Sequence, residues 1–276
     1  MITISVAGGS QPEILELVKM AKQQYSGELS FVVFDTNENI SNESMWTYQK
    51  CEDELEVAKK AVVLVANGEA DILLKGIIQT HTLLKELLNN EYGLKTKKVL
   101  SHVAMVELPA FKQSFLLTDC AMNISPTEDT MSEIIENVKE VAHKIGLGSP
   151  KIALLSAAEN YNPKMPSSVL ATEMTKKFQQ TKDATIFGPL SFDLALSKEA
   201  VAHKRYEGPI MGDADVLVVP AIDAGNALYK SLTIFAGAKV GGTIVGTKVP
   251  VVLTSRSDST QSKLHSLEFA MKQIEK

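Results

Sequence analysis

The chain has 276 residues, 45% of them hydrophobic and 22% charged, enough apolar material for a sizeable core in one large domain or two packed ones, and too much for wholesale disorder. Its formal net charge of -5 argues against nucleic acid as a partner, because backbone binding needs a basic face that releases counterions, yet a locally positive site for a small anion remains compatible with it. Cys51 and Cys120 stand at unrelated positions, no basic stretch followed by an apolar core opens the sequence, and no apolar run would cross a bilayer. A disulfide framework, a cysteine metal site, export and a membrane partner are therefore not expected, and a cytoplasmic location is.

Short apolar runs alternate along the chain with segments of helical periodicity. In chain order the pattern predicts a strand at 31–34, a helix at 54–66, a strand at 72–74, a helix at 80–88, a strand at 115–117 and a helix at 127–144 opened by Ser125-Pro126. It continues with a strand at 152–155, a helix at 167–178 opened by Pro166, a strand at 216–219, a helix at 226–235, a strand at 251–254 and a helix at 258–274. Strand–helix alternation of this kind predicts an α/β protein built on a parallel sheet. No internal repeat, low-complexity tract or long flexible linker interrupts it.

In such sheets ligands gather at the loops that follow the strands, where helix N-termini present free N–H groups to anions. Four of these loops carry candidate chemistry. Lys75 follows the strand at 72–74, and Asp119 follows the strand at 115–117; a solvated lysine and a turn-forming aspartate are their plain structural roles. The third loop, Pro220-Ala-Ile-Asp-Ala-Gly-Asn226, sets Asp223, Gly225 and Asn226 at a strand end, with Lys230 one helical turn further on. Gly225 permits close backbone approach to a ligand, Asn226 can cap the helix or bind substrate, and an ordinary Asx turn with a surface lysine explains the same residues. The last loop, Thr254-Ser-Arg-Ser-Asp-Ser259, gathers hydroxyls and a guanidinium at a helix start. It suits a phosphate, since Arg256 offers a bidentate fork, and it equally suits an N-cap cluster with Arg256 in solvent. Ala236-Gly-Ala-Lys-Val-Gly-Gly-Thr243 is Gly-rich without dinucleotide or P-loop spacing, and tight packing explains it as well. The five histidines show no spacing with acids or cysteines that would make a metal site.

Read together, Ala70-Asp-Ile-Leu-Leu-Lys-Gly76, Leu100-Ser-His-Val-Ala104, Thr118-Asp-Cys-Ala-Met-Asn123, Asn162-Pro-Lys-Met-Pro166, Gly212-Asp-Ala-Asp215, Ala224-Gly-Asn-Ala-Leu-Tyr-Lys230 and Leu253-Thr-Ser-Arg-Ser-Asp-Ser259 resemble the phosphate acetyl/butyryltransferase family, its butyryl branch in particular. The resemblance implies two α/β/α domains with a cleft between them, similar to isocitrate and isopropylmalate dehydrogenases, with residues 1–112 and 246–276 in the first and 113–245 in the second. It also implies a homodimer or higher homo-oligomer. The implied reaction is butanoyl-CoA + phosphate = butanoyl phosphate + CoA on short or branched-chain acyl groups, with no cofactor, CoA and acyl-CoA being substrates along with phosphate.

By the same resemblance, Ser255 and Arg256 match the family's serine–arginine pair, whose arginine holds phosphate or the acyl phosphate. The acetyl branch has an aspartate six residues after that arginine, proposed to deprotonate the CoA thiol; here Ser262 stands there, so Asp258, matching an aspartate of the butyryl branch, is the substitute candidate for catalysis, with capping of the last helix its competing role. Two further departures are Ala221, where relatives commonly have an acid, and Ser257, where the butyryl branch often has alanine. Lys75, Asp119, Asp223, Gly225, Asn226 and Lys230 are the candidate substrate-binding residues. The alternatives are a phosphate acetyltransferase and a non-catalytic module sensing acyl-CoA or acyl phosphate; a metal-dependent decarboxylating dehydrogenase lacks its paired aspartates and dinucleotide loop in this sequence.

Overall fold

The computed structural model describes residues 1–38, 45–111, 113–253 and 258–274. Strands and helices alternate in an α/β fold whose chain divides into two compact units, Met1–Lys98 with Gly241–Lys276 and, between them in sequence, Val99–Val240. The domain boundaries that the resemblance implies, after residues 112 and 245, are set a little later in the chain at both crossings.

The first unit begins with β1 (Ile2–Ala7), α1 (Pro12–Gln24), β2 (Leu29–Asp35), β3 (Thr47–Lys50), α2 (Glu54–Ala66), β4 (Ile72–Lys75) and α3 (Thr80–Leu87). The second holds β5 (Ser101–Glu107), β6 (Phe115–Thr118), α4 (Glu128–Lys144), β7 (Lys151–Leu155), α5 (Pro166–Lys177), β8 (Thr185–Leu190), α6 (Phe192–Leu196), α7 (Lys198–Lys204), β9 (Val216–Val218) and α8 (Ile222–Phe235). The chain then runs through β10 (Lys239–Val245) and returns to the first unit for β11 (Val251–Leu253) and α9 (Thr260–Lys272).

In the first unit the strands lie in the order β3-β2-β1-β4-β11-β10, all parallel except the β10–β11 pair. Parallel strands covered on both faces read as apolar runs, and Ile72, Leu73 and Leu74 are all buried. Alternation assigns the two faces of β1: Ile4 and Val6 pack with Ile14, Leu17 and Val18 of α1 and with Leu264 and Leu267 of α9, while Ser5 turns the other way and donates to the Ala61 carbonyl of α2 at 2.8 Å. A hydroxyl on that face costs little because the hydrogen bond replaces its water.

In the second unit the order is β5-β6-β9-β7-β8, with β5 antiparallel to β6 and the rest parallel. One face buries Ala104, Val106, Phe115, Leu117, Ala153, Leu217 and Val219 with Leu194 and Ala195 of α6, and Leu228, Tyr229 and Leu232 of α8 pack against that cluster. Pairs β7–β9 and β6–β9 bring the carboxyl ends of β6, β7 and β9 to one edge.

Several strands escape the expected pattern for physical reasons. β8 contains Gly188-Pro189 and sits at the sheet edge, where a missing N–H is tolerated. β10 contains Gly241 and Gly242; a Cβ on Gly241 would lie 2.3 Å from the His265 carbonyl oxygen, so this Gly-rich run serves tight packing of α9. Helix α8 starts at Ile222, ahead of the expected 226. Among the described residues no helix is long and apolar enough to cross a membrane.

Candidate active site

The first unit brings three strand ends together. Register pairs Ala7 of β1 with Lys75 of β4, and Lys75 with Leu253 of β11. The ends of β1, β4 and β11 therefore stand side by side. The chain after β1 and the chain after β4 approach closely: a Cβ on Gly76 would fall 2.0 Å from the Gly8 carbonyl oxygen, so only glycine lets these backbones meet. Thr254, Ser255, Arg256 and Ser257, which follow β11 in sequence, lie outside the described residues.

Lys75 is 3% exposed, with Nζ donating to the Gly76 carbonyl at 3.2 Å. The solvated-lysine role is thereby overturned; the apolar run Ile72-Leu-Leu carries its cation into the strand edge. A second buried cation has no counterpart among the expected site residues. Lys263 is 1% exposed and donates to the main-chain carbonyl of Asp258 at 2.6 Å. The sequence does hold a signal for it: Lys263, Leu267 and Ala270 fall on one buried stripe of α9, and a lysine on an apolar stripe is rarely buried without a purpose. Ser10 is a further unexpected member; it is buried, its N–H donates to Asp35 Oδ2 at 2.7 Å, and this fixes the loop after β1.

Asp258 does not cap α9. Ser259 is the N-cap, its Oγ accepting from the Ser262 N–H at 3.2 Å and contacting Ser262 Oγ at 3.0 Å. The capping role offered for Asp258 is corrected accordingly, and Ser262, in place of the acetyl branch's acid, is engaged in the cap.

In the second unit Asp119, Gly225 and Asn226 come together. Asp119 is 2% exposed; Oδ1 accepts from the N–H groups of Ala121 and Met122 at 2.9 and 3.0 Å, and Oδ2 accepts from Asn123 Nδ2 at 2.6 Å. The Asn123 amide also donates to the Leu100 carbonyl at 2.9 Å. Because α8 starts early, Gly225 and Asn226 are inside the helix and not in the loop before it. Asn226 is no cap: its Nδ2 donates to the Cys120 carbonyl at 3.3 Å, while the N-cap position is Ala221. Gly225 does allow a close approach, but of another backbone, since a Cβ would lie 2.5 Å from the Asp119 carbonyl oxygen.

Asp223 is exposed in the first turn of α8. Lys230 is exposed further along, with Nζ 5.4 Å from the centre of the Tyr229 ring. On the β5 side of that tyrosine lies His102, edge-on at 6.3 Å between ring centres. Burial pushes the His102 pKa below its ordinary value and the Asp119 charge partly offsets this. Burial likewise pushes the Cys120 thiol well up, so this cysteine stays protonated. Among the described residues no group of three or more His, Cys, Asp and Glu side chains is arranged to hold a metal ion.

The family profile described as "Phosphate acetyl/butaryl transferase" matches residues 8–270. The phosphate butyryltransferase of Clostridium acetobutylicum is 39% identical over 279 residues, covering 98% of this chain and 92% of that one. A branched-chain phosphotransacylase from Enterococcus faecalis V583 has a crystal structure that superposes with a TM-score of 0.97 at 71% identity, covering 99% of each chain. A 4-hydroxythreonine-4-phosphate dehydrogenase from Klebsiella pneumoniae shares the general α/β fold, with a TM-score of 0.58 at 12% identity over 98% of each chain. With its profile matched over almost its whole length and its strand-end loops carrying the matching motifs, the chain belongs to the phosphate acetyl/butyryltransferase family, a family of acyltransferases.

Proposed function

We infer that this chain catalyses reversible acyl transfer between CoA and inorganic phosphate on short or branched-chain acyl groups. The observation that carries this reading is the register Ala7–Lys75–Leu253, which ends β11 beside a buried lysine just before the chain reaches Ser255-Arg256. A guanidinium there neutralises phosphate and fixes its oxygens bidentately, and Lys75 adds charge that a dry strand edge screens less than solvent does. Ser255 hydrogen-bonds the acyl phosphate.

In the acyl phosphate-forming direction, a phosphate oxygen attacks the thioester carbonyl, the tetrahedral oxyanion collapses, and the C–S bond breaks to release thiolate, which takes up a proton. Holding both substrates together supplies the proximity term, and the cations stabilise the oxyanion. Asp223, Asn226 and Lys230, exposed on α8, contribute the second unit's share of substrate binding, while Asp119 and Gly225 shape the loop beside them. No cofactor takes part in this scheme. A cleft between two α/β/α domains, a homodimeric or larger assembly and a cytoplasmic location complete the proposal; they are supported by family membership.

Release of free thiol from acetyl-, butyryl- and branched acyl-CoA, with and without phosphate, tests it. Phosphate-dependent release, fastest with a four- or five-carbon acyl group, is expected. Fastest release from acetyl-CoA would reassign the chain to acetyl transfer, and tight CoA binding without turnover would make it a sensor.

A further inference from the structure

We propose that His102 is the proton acceptor for the CoA thiol, an assignment that rests on the acyl-transfer reading above. As sulfur attacks the acyl phosphate, the thiol proton moves to His102 Nε2, the S–C bond forms and the C–O bond to phosphate breaks. The imidazolium then gives its proton to the departing phosphate, leaving hydrogen phosphate and a neutral ring. In the reverse direction the neutral ring takes the proton of the attacking hydrogen phosphate and gives it to the leaving thiolate.

Placement is the first argument. β5 and β6 are antiparallel with Ala104 opposite Leu117, so the same register sets His102 opposite Asp119 at the carboxyl edge of the β6–β9–β7 sheet. Alternation puts His102 on the face of Ala104 and Val106, the face that α8 covers. His102 therefore stands opposite Asp119 and against Tyr229, the residue before Lys230 on α8.

The ring's environment is the second argument. His102 Nδ1 is enclosed and finds no hydrogen-bond partner among the described residues. The residue as a whole is half-buried, and Nε2 is not among the enclosed side-chain atoms that lack a partner. A buried polar atom without a partner is uncommon in a native protein and calls for an explanation. The ring meets Tyr229 edge-on, 6.3 Å between ring centres.

Charge is the third. The titratable and charged groups facing the ring are Asp119 and Cys120 from the end of β6, and Tyr229 with Lys230 beside it from α8. Among the described residues Asp119 is the charge that favours a transient imidazolium, and its carboxylate accepts three hydrogen bonds. Burial keeps the resting ring neutral, the form a base requires.

The test follows acyl-CoA formation from butyryl phosphate and CoA between about pH 5.5 and about pH 9.5, a span that brackets a thiol pKa of ~8.5. His102→Asn and His102→Gln keep a polar side chain of similar size. Each is expected to lower kcat by about 10²-fold at neutral pH, with the loss shrinking as thiolate forms unaided in alkali. KM for acyl phosphate should stay close to the wild-type value. A variant with a wild-type unfolding transition and a pH profile parallel to the wild type would overturn the assignment. Should neither variant fold, ring NMR of wild-type protein decides: adding CoA must shift the His102 signal, assigned by replacing the other four histidines one at a time, and an unmoved signal overturns it. A wild-type chain without phosphate-dependent thiol release would sink the acyl-transfer reading and this assignment together, whereas an active wild type with indifferent variants would sink this assignment alone.

Discussion

Two strand-to-helix loops each offer an aspartate, and they use it differently. In the loop after β6, Asp119 is enclosed and its carboxylate is consumed by two backbone N–H groups and one side-chain amide. In the loop after β11, Asp258 is only partly buried, and it is its main-chain carbonyl that receives the Lys263 amine. Position at a strand end therefore does not define a role. What separates the two is burial, which chain folding decides and residue type does not.

The largest effect is expected at Arg256. If the loop after β11 is the anion site, Arg256→Gln removes its cation while leaving the core untouched. A loss of roughly 10²-fold or more in kcat/KM for phosphate is expected, the scale of removing one well-placed transition-state donor. Initial rates against phosphate concentration measure it. Unchanged phosphate kinetics would remove this loop from the site.

For the loop after β6 the expectation is structural. Asp119→Asn replaces an acceptor of three hydrogen bonds with an amide that must turn a donor toward one of them. Buried bonds to a charged group of this kind are worth about 1.5–3 kcal/mol, so denaturant unfolding should show a loss on that order. An unaltered midpoint and slope would mean that the carboxylate does not organise the loop.

The same contrast governs how much of the molecule is legible in its sequence. The expected strands and helices that match are those whose burial is written in local pattern, such as Ile72-Leu-Leu-Lys75 in β4 and Thr127, whose hydroxyl accepts from the Thr130 N–H and caps α4. Helix α8 starts earlier than expected because the sequence leaves Asp223, Gly225 and Asn226 in the loop at the strand end, whereas Gly225 lies inside the helix. Its role is set by the carbonyl of Asp119, a packing partner so distant in sequence that no local window contains it. Lys75 and Asp119 stand out as candidates by strand-end position alone. His102 and Lys263 do not, because a lone histidine on a strand and a lone lysine on a helix acquire meaning only from burial and from the residue opposite.

Beside Asp119, His102 gives the contrast a pH-dependent form. The pKa of His102 lies below its ordinary value of 6.5, so between that value and the lower folded one the unfolded chain binds more protons than the native one. Stability conferred by this site is present at neutral pH and falls as pH drops below about 6.5. His102→Asn lacks the titrating ring. Its unfolding free energy should therefore decline less than that of the wild type between about pH 7.5 and about pH 5.5, one unit either side of the ordinary pKa. An equal decline in both would show that the ring is not held neutral by the fold.

A smaller effect is expected at Lys230, whose amine is in solvent beside the Tyr229 ring. An exposed cation–π contact is worth about 0.5–1 kcal/mol, so Lys230→Ala should barely change the unfolding midpoint. If the amine meets an anionic substrate, KM for CoA should rise a few-fold and the rise should persist in high salt, where long-range steering is screened. A neutral result in both measurements returns Lys230 to the solvated surface.

The smallest change in stability is expected at Asp258. Because Ser259 performs the capping of α9, Asp258→Asn does not forfeit the ~1 kcal/mol of a lost cap, and the Lys263 amine rests on a main-chain oxygen that the substitution leaves in place. Stability within about 0.5 kcal/mol of the wild type is the expected outcome. Its pH profile decides between the two candidate bases. With His102 taking the thiol proton, the variant keeps the wild-type pH dependence whatever small loss of rate its nearness in sequence to Arg256 brings. A large loss of acyl-CoA formation at neutral pH that alkali partly restores would identify Asp258 as the base, and would place the proton transfer in the loop after β11 instead of beside Asp119.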